Sequence, residues 1–110
     1  MKNDIFYIKH MIDAISAIEE YVFGYDEASF LKTRLVQDGV IRQVQIIGEA
    51  AKKVSEGLKK EHPELPWKDM AGMRNKLVHD YFGVDIKSVW KTATIDIPEL
   101  KKYLSKLPVK

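Results

Sequence analysis

The sequence predicts an all-α protein, an up-and-down bundle of four to five helices. Apolar residues recur at spacings of three and four along several stretches, no segment sustains an apolar/polar alternation, and glycine and proline punctuate the chain at only a few points. With 110 residues, 45% hydrophobic and 31% charged, the chain has material for one modest core, so residues 1–110 are read as a single domain.

The first helix is expected over about residues 4–23, where Ile5, Ile8, Ile12, Ile15, Ile18 and Val22 fall at helical spacing. Asn3 or Asp4 is its expected N-cap and Gly24 its stop. After a turn at Tyr25 and Asp26, a short helix near Glu27 leads into a longer one. Along that one Val40, Val44, Ile47, Ala51, Val54 and Leu58 form a continuous seam. A mid-helix glycine costs about 1 kcal/mol relative to alanine, so Gly48 is expected to permit close helix packing.

Two prolines make EHPELPW the clearest loop, with His62 solvent-exposed. A third helix is expected from Trp67 to about Phe82. Asp85 caps a fourth that runs through Val89, Trp90 and Ala93, and Pro98 kinks or divides it before Leu100, Tyr103, Leu104 and Leu107.

On a wheel of the third helix, Met70, Met73 and Leu77 share the core side. A second side carries Ala71, Val78 and Phe82 together with Arg74, Asn75 and His79, while Lys76 and Asp80 face solvent. Two apolar sides in so short a chain predict that one meets a second copy, as in a two-fold homodimer whose seam holds the polar residues. Asn75 and His79, four apart, would be neighbours, so Asn75 could orient the imidazole.

Absent cysteine excludes a disulfide framework, a redox pair and a thiolate zinc site. Asp4, Lys9, His10 and Asp13 interrupt the first helix, which therefore reads as neither signal peptide nor membrane span, and a cytoplasmic location is expected. The net charge of +2 is a weak footprint for gripping nucleic acid, so any RNA contact must be local. Of the basic residues only Arg34, Arg42 and Arg74 are arginines, so Arg74 does not belong to an Arg-rich surface.

Arg74 and His79 are the residues best suited to chemistry. RNA cleavage without a metal or other cofactor needs a base for the 2′-hydroxyl, an acid for the departing 5′-oxygen and positive charge against the transition state. Imidazole titrates near ~6.5 and can exchange a proton. Guanidinium stays charged and presents two donors to phosphate oxygens. In a symmetric dimer the base and acid could come from different copies.

Other candidates carry less. His79 and Asp80 resemble the HD pair of metal phosphohydrolases, but only His10 and His62 remain to complete a metal site, so none is expected. His10 reads as a boundary residue. The pairs Lys52 and Lys53, Lys59 and Lys60, Lys101 and Lys102 read as solvated faces, Trp67 and Trp90 as packing, and Arg42 and Glu49 as surface charge on one outer stripe.

Arg74, polar Asn75, His79 and Tyr81 form an R-x4-H-x-Y pattern. With IGEAAKKV at 47–54, PELPW at 63–67 and the run MRNKLVHDYFGVD, the chain resembles the HEPN superfamily. Within it the chain is most similar to the short HepT-like ribonuclease toxins paired with minimal nucleotidyltransferase antitoxins. The resemblance implies a dimeric helical bundle with a metal-independent endoribonuclease site at the seam, Arg74 and His79 catalytic and Asn75 supporting. It also implies that Tyr81 receives AMP from the partner nucleotidyltransferase, a type II or VII-like mode of neutralisation. From the residues alone Tyr81 is equally a packed aromatic. The competing expectation is a non-catalytic helical adaptor that holds substrate or nucleotide for a transferase.

Overall fold

The structure, a computed structural model, describes residues 2–77 and 85–107. Its described residues form helices joined by short turns and no strands, within an envelope of 42 × 31 × 20 Å.

Helix α1 spans Lys2–Val22. Its buried stripe is Ile8, Met11, Ala14, Ile15 and Ile18, each no more than 2% exposed. The stripe is rotated from the one expected: Met11 and Ala14 join it, whereas Ile5 is 38% exposed. Gly24 ends the helix as expected, with φ at +83°, a region that costs a side chain steric strain. Asp26 then caps the short α2, Glu27–Phe30, through a reciprocal pair with Ser29 at 2.8 and 3.0 Å. Phe30 is fully buried, and Gln37 donates to its carbonyl at 2.9 Å, fixing the join to α3.

Helix α3, Arg34–Lys53, buries Val40, Val44, Ile47 and Ala51 against α1. The two run antiparallel, because Tyr21 lies against Gly39 at one end while Asp4 meets Ser55 at the other. Two expectations are corrected here. The seam does not continue as one helix to Leu58: Val54 is extended, and Ser55 caps a separate α4, Glu56–Glu61, on which Leu58 is half-buried. Nor is Asp4 an N-cap. It sits inside α1, 4% exposed, and accepts from the Ser55 amide at 2.8 Å and hydroxyl at 2.6 Å. Burial pushes the Asp4 carboxyl up, but the two Ser55 bonds and the charge of Lys59 outweigh it and hold the group below its ordinary range.

Asp85 caps α6, Ile86–Lys91, as expected, accepting from the amides of Lys87 and Ser88. A π-helical turn, Thr92–Asp96, follows and leads into α7, Ile97–Leu104. Pro98, at the start of α7, has no N–H to continue the ladder. The Ile97 amide bonds instead to Thr92, five residues back, so Pro98 divides the run as expected. Trp90 packs beside Phe30 with ring centroids 5.0 Å apart, which confirms a packing role for it. Among the described residues no helix is long and apolar enough to cross a membrane.

Candidate functional site

The motif-bearing segment is positioned from α3. A Cβ on Gly48 would lie 3.3 Å from the carbonyl oxygens of both Met70 and Ala71, so the glycine lets α5, Trp67–Ala71, dock with its backbone against α3. The expected packing role of Gly48 is thereby met. The Trp67 indole donates to the His62 carbonyl at 2.9 Å and fixes the entry to α5, with Leu65 buried just before it. His62 itself is half-buried, not exposed as expected, and its Nδ1 lies 3.3 Å from the Glu64 carboxylate.

The third helix is not one continuous α-helix. Helix α5 stops at Ala71, Gly72 breaks it, and a 3-10 turn occupies Met73–Leu77. Residues in such a turn advance by about 120° instead of about 100°, so an α-helical wheel does not hold beyond Gly72. The core side survives the change, because Met70, Met73 and Leu77 are all at most 5% exposed. Arg74 and Asn75 are exposed between those two anchors, Met73 and Leu77. The Asn75 amide donates to the Gly72 carbonyl at 3.0 Å. Leu77 and Asp85 are joined by a backbone hydrogen bond of 2.7 Å.

His79 and Tyr81, with Val78, Asp80 and Phe82, lie outside the described residues. The described structure therefore presents the Arg74–Asn75 half of the motif to solvent. The neighbour relation expected of Asn75 with His79 involves a residue beyond it.

Several grooves open among the described residues. One of about 290 Å³ is lined by Asp69, Asp96 and Glu99 over a floor that includes Met70, Met73 and Leu100. Its carboxylates disfavour an RNA backbone on that side of the motif segment. A second, of about 330 Å³, lies between α1 and α3 and is lined by Phe6, His10, Arg42, Glu49 and Lys53 among others. In it the His10 ring packs on Phe6 at 4.4 Å, and the Lys53 ammonium lies 5.9 Å over the Tyr7 ring. A third, of about 340 Å³, is lined by Tyr21, Leu35, Val36 and Gly39. Arg42 and Glu49, read from the sequence as surface charge on one outer stripe, are both exposed.

The family model for ribonuclease HepT-like proteins matches residues 11–107. A probable ribonuclease HepT from Thermococcus cleftensis is 46% identical over 101 residues, covering 92% of each chain. A protein of Methanocaldococcus jannaschii named "gamma-glutamylcyclotransferase and putative RNase" is 38% identical over 108 residues, 97% of this chain and 49% of that one. A "putative RNase" of the same organism is 37% identical over 107 residues, 96% of this chain and 92% of that one. No solved structure matches. A match that runs from within α1 through α7 takes in the Gly48 contact, the Arg74 turn and the rest of the R-x4-H-x-Y pattern together, and the chain belongs to the HepT-like ribonuclease family.

Proposed function

We propose that this protein is a metal-independent endoribonuclease, the toxin of a toxin–antitoxin pair, in which Arg74 and His79 carry the chemistry and Asn75 supports them. The observation that carries the reading is the exposure of Arg74 on a turn pinned at both ends by buried residues, inside a chain of a ribonuclease family. The anchored turn fixes the backbone from which this guanidinium can reach a scissile phosphate.

The 2′-oxygen attacks phosphorus and gives its proton to one imidazole, the bond to the 5′-oxygen breaks, and that oxygen takes a proton from a second. The products are a 2′,3′-cyclic phosphate and a 5′-hydroxyl. Two copies of the protein supply the two His79 rings, and Arg74 offsets the charge that builds on the phosphoryl oxygens. No cofactor is required.

Tyr81 is the regulatory position. A partner nucleotidyltransferase moves AMP from ATP to the phenolic oxygen, releasing pyrophosphate. The resulting phosphodiester competes with RNA for Arg74.

The test is purified wild type, Arg74→Ala and His79→Ala incubated with RNA in EDTA. The reading expects cleavage by wild type alone. If wild type leaves RNA intact, the adaptor reading takes its place. Mass spectrometry after co-expression with the cognate transferase checks Tyr81, and an unmodified Tyr81 beside an active transferase overturns the regulatory part.

A further inference from the structure

The groove between α1 and α3 has one wall of rings and one of charges. On α1 the Phe6 ring, 56% exposed, packs on His10 at 4.4 Å and meets Tyr7 edge-on at 5.4 Å, so three aromatic side chains form one continuous surface. On α3, Arg42, Ile46, Glu49 and Lys53 fall within an arc of about 60° and line the opposite wall. Arg42, Glu49 and Lys53 are all exposed. The contacts of Tyr21 with Gly39 and of Asp4 with Ser55 set the register of the antiparallel pair. It brings Lys53 level with Phe6 and Tyr7, where its ammonium lies over the Tyr7 ring, and Glu49 level with His10. Arg42 stands two turns further along.

These side chains are available to a ligand. Arg42 and Glu49 make no ion pair among the described residues, and the outer face of Phe6 is in solvent. Exposed rings stack bases, and cations beside them hold the phosphates of a single strand. The other grooves lack that combination: Asp69, Asp96 and Glu99 repel phosphate in one, and the pocket of Tyr21, Leu35, Val36 and Gly39 has no charged lining. At about 330 Å³ the α1–α3 groove has room for one nucleotide.

Glu49 decides which base fits. A carboxylate only accepts hydrogen bonds, and its two oxygens match two adjacent donors. Guanine alone presents such a pair, N1–H and the N2 amino group, on its Watson–Crick edge. Adenine and cytosine put a ring-nitrogen acceptor beside their amino group, and uracil flanks its single N–H with carbonyls, so each turns a lone pair towards the carboxylate.

We propose that the α1–α3 groove is a subsite for a guanosine of single-stranded RNA. The base stacks on Phe6 and His10, Glu49 accepts from its N1–H and N2 amino group, and Arg42 holds a neighbouring phosphate. Assigning the guanosine to an RNA strand rests on the ribonuclease reading, whereas the recognition of guanine does not.

Binding is measured in EDTA by fluorescence anisotropy with short labelled strands of 2′-O-methyl uridine that carry one central guanosine, inosine, adenosine or uridine. Without a free 2′-hydroxyl these strands cannot be cut through the 2′-oxygen. Wild type should bind the guanosine strand about tenfold or more tighter than the adenosine and uridine strands. Inosine, which lacks the N2 amino group, should fall between. Glu49→Gln should remove the preference. Arg42→Ala should weaken all four strands alike and leave it, because a phosphate contact carries no base information. Phe6→Ala should weaken the guanosine strand about tenfold at an unchanged unfolding midpoint, since an exposed ring leaves the core intact. Arg74→Ala should keep the preference.

Equal binding of the four strands by wild type, or a preference that survives Glu49→Gln, overturns the proposal. So does a preference lost in Arg74→Ala, which would place recognition at the motif turn. Free GMP that competes as well as the guanosine strand overturns the assignment to RNA. Cleavage of unmodified RNA by wild type separates the two readings. Cleavage without any guanosine preference in binding contradicts the subsite alone, and a guanosine preference without cleavage contradicts the ribonuclease reading alone.

Discussion

The α1–α3 pair and the segment from Trp67 to Leu77 are built on opposite principles. The pair is two long antiparallel helices joined by a continuous apolar seam, with Ile18, Val44 and Ile47 fully buried. The segment is one turn and a half of α-helix, a glycine break and a 3-10 turn, held by three buried anchors, Met70, Met73 and Leu77. Between those anchors the backbone is free to present side chains to solvent, and that is where Arg74 sits. The pair carries the long buried seam and, on the proposed reading, the segment carries the chemistry, with Gly48 as the contact that couples them.

This division can be broken by mutation in graded steps. Ile47→Ala should have the largest effect on folding, about 2–5 kcal/mol of stability by denaturant titration, because it empties a fully enclosed site in the seam. Gly48→Val should follow, at about 1–3 kcal/mol, since the added atoms meet two backbone carbonyls that cannot rotate away. It should also lower RNA cleavage more than its stability loss explains, by displacing α5 and the turn beyond it.

Asp4→Asn should cost about 1–3 kcal/mol by disrupting the charge-assisted bonds to Ser55. Because the folded Asp4 carboxyl titrates below its ordinary value of 3.8, its contribution is fully present above that value. It is lost as pH falls through the lower folded value, so wild type and Asp4→Asn should converge in stability in strong acid. Gly39→Ala should have the smallest effect. There the added Cβ meets the partly exposed Tyr21 ring at 3.1 Å, and a side chain can turn aside where a carbonyl cannot. Gly39→Ala should therefore be neutral or gain up to about 1 kcal/mol of helix propensity, the opposite sign to Gly48→Val.

The same contrast explains what the sequence disclosed. Helical periodicity is a property of long elements with one buried face, so α1, α3, the Gly24 stop and the Asp85 cap were all legible. Periodicity was misleading where a local bond cuts an element short. The Ser55 hydroxyl, shared between Asp4 and the first turn of α4, ends α3 inside what reads as one seam. Gly72 likewise ends α5, although Met70, Met73 and Leu77 keep their apolar spacing across it, since both a 3-10 turn and an α-helix can point those residues inward. The candidate site was found in the sequence through residue types and family resemblance, not through geometry, and the described structure adds the exposure of Arg74 and Asn75.

The central claim is that the Arg74 turn serves chemistry and not the fold. It is tested most directly by comparing wild type with Arg74→Ala in one RNA cleavage assay in EDTA, with thermal unfolding measured on the same samples. The account predicts a loss of cleavage of about 10²-fold or more, as for removal of a transition-state donor, with an unchanged unfolding midpoint. Undiminished cleavage by Arg74→Ala, or a loss that merely follows a fallen midpoint, would contradict it.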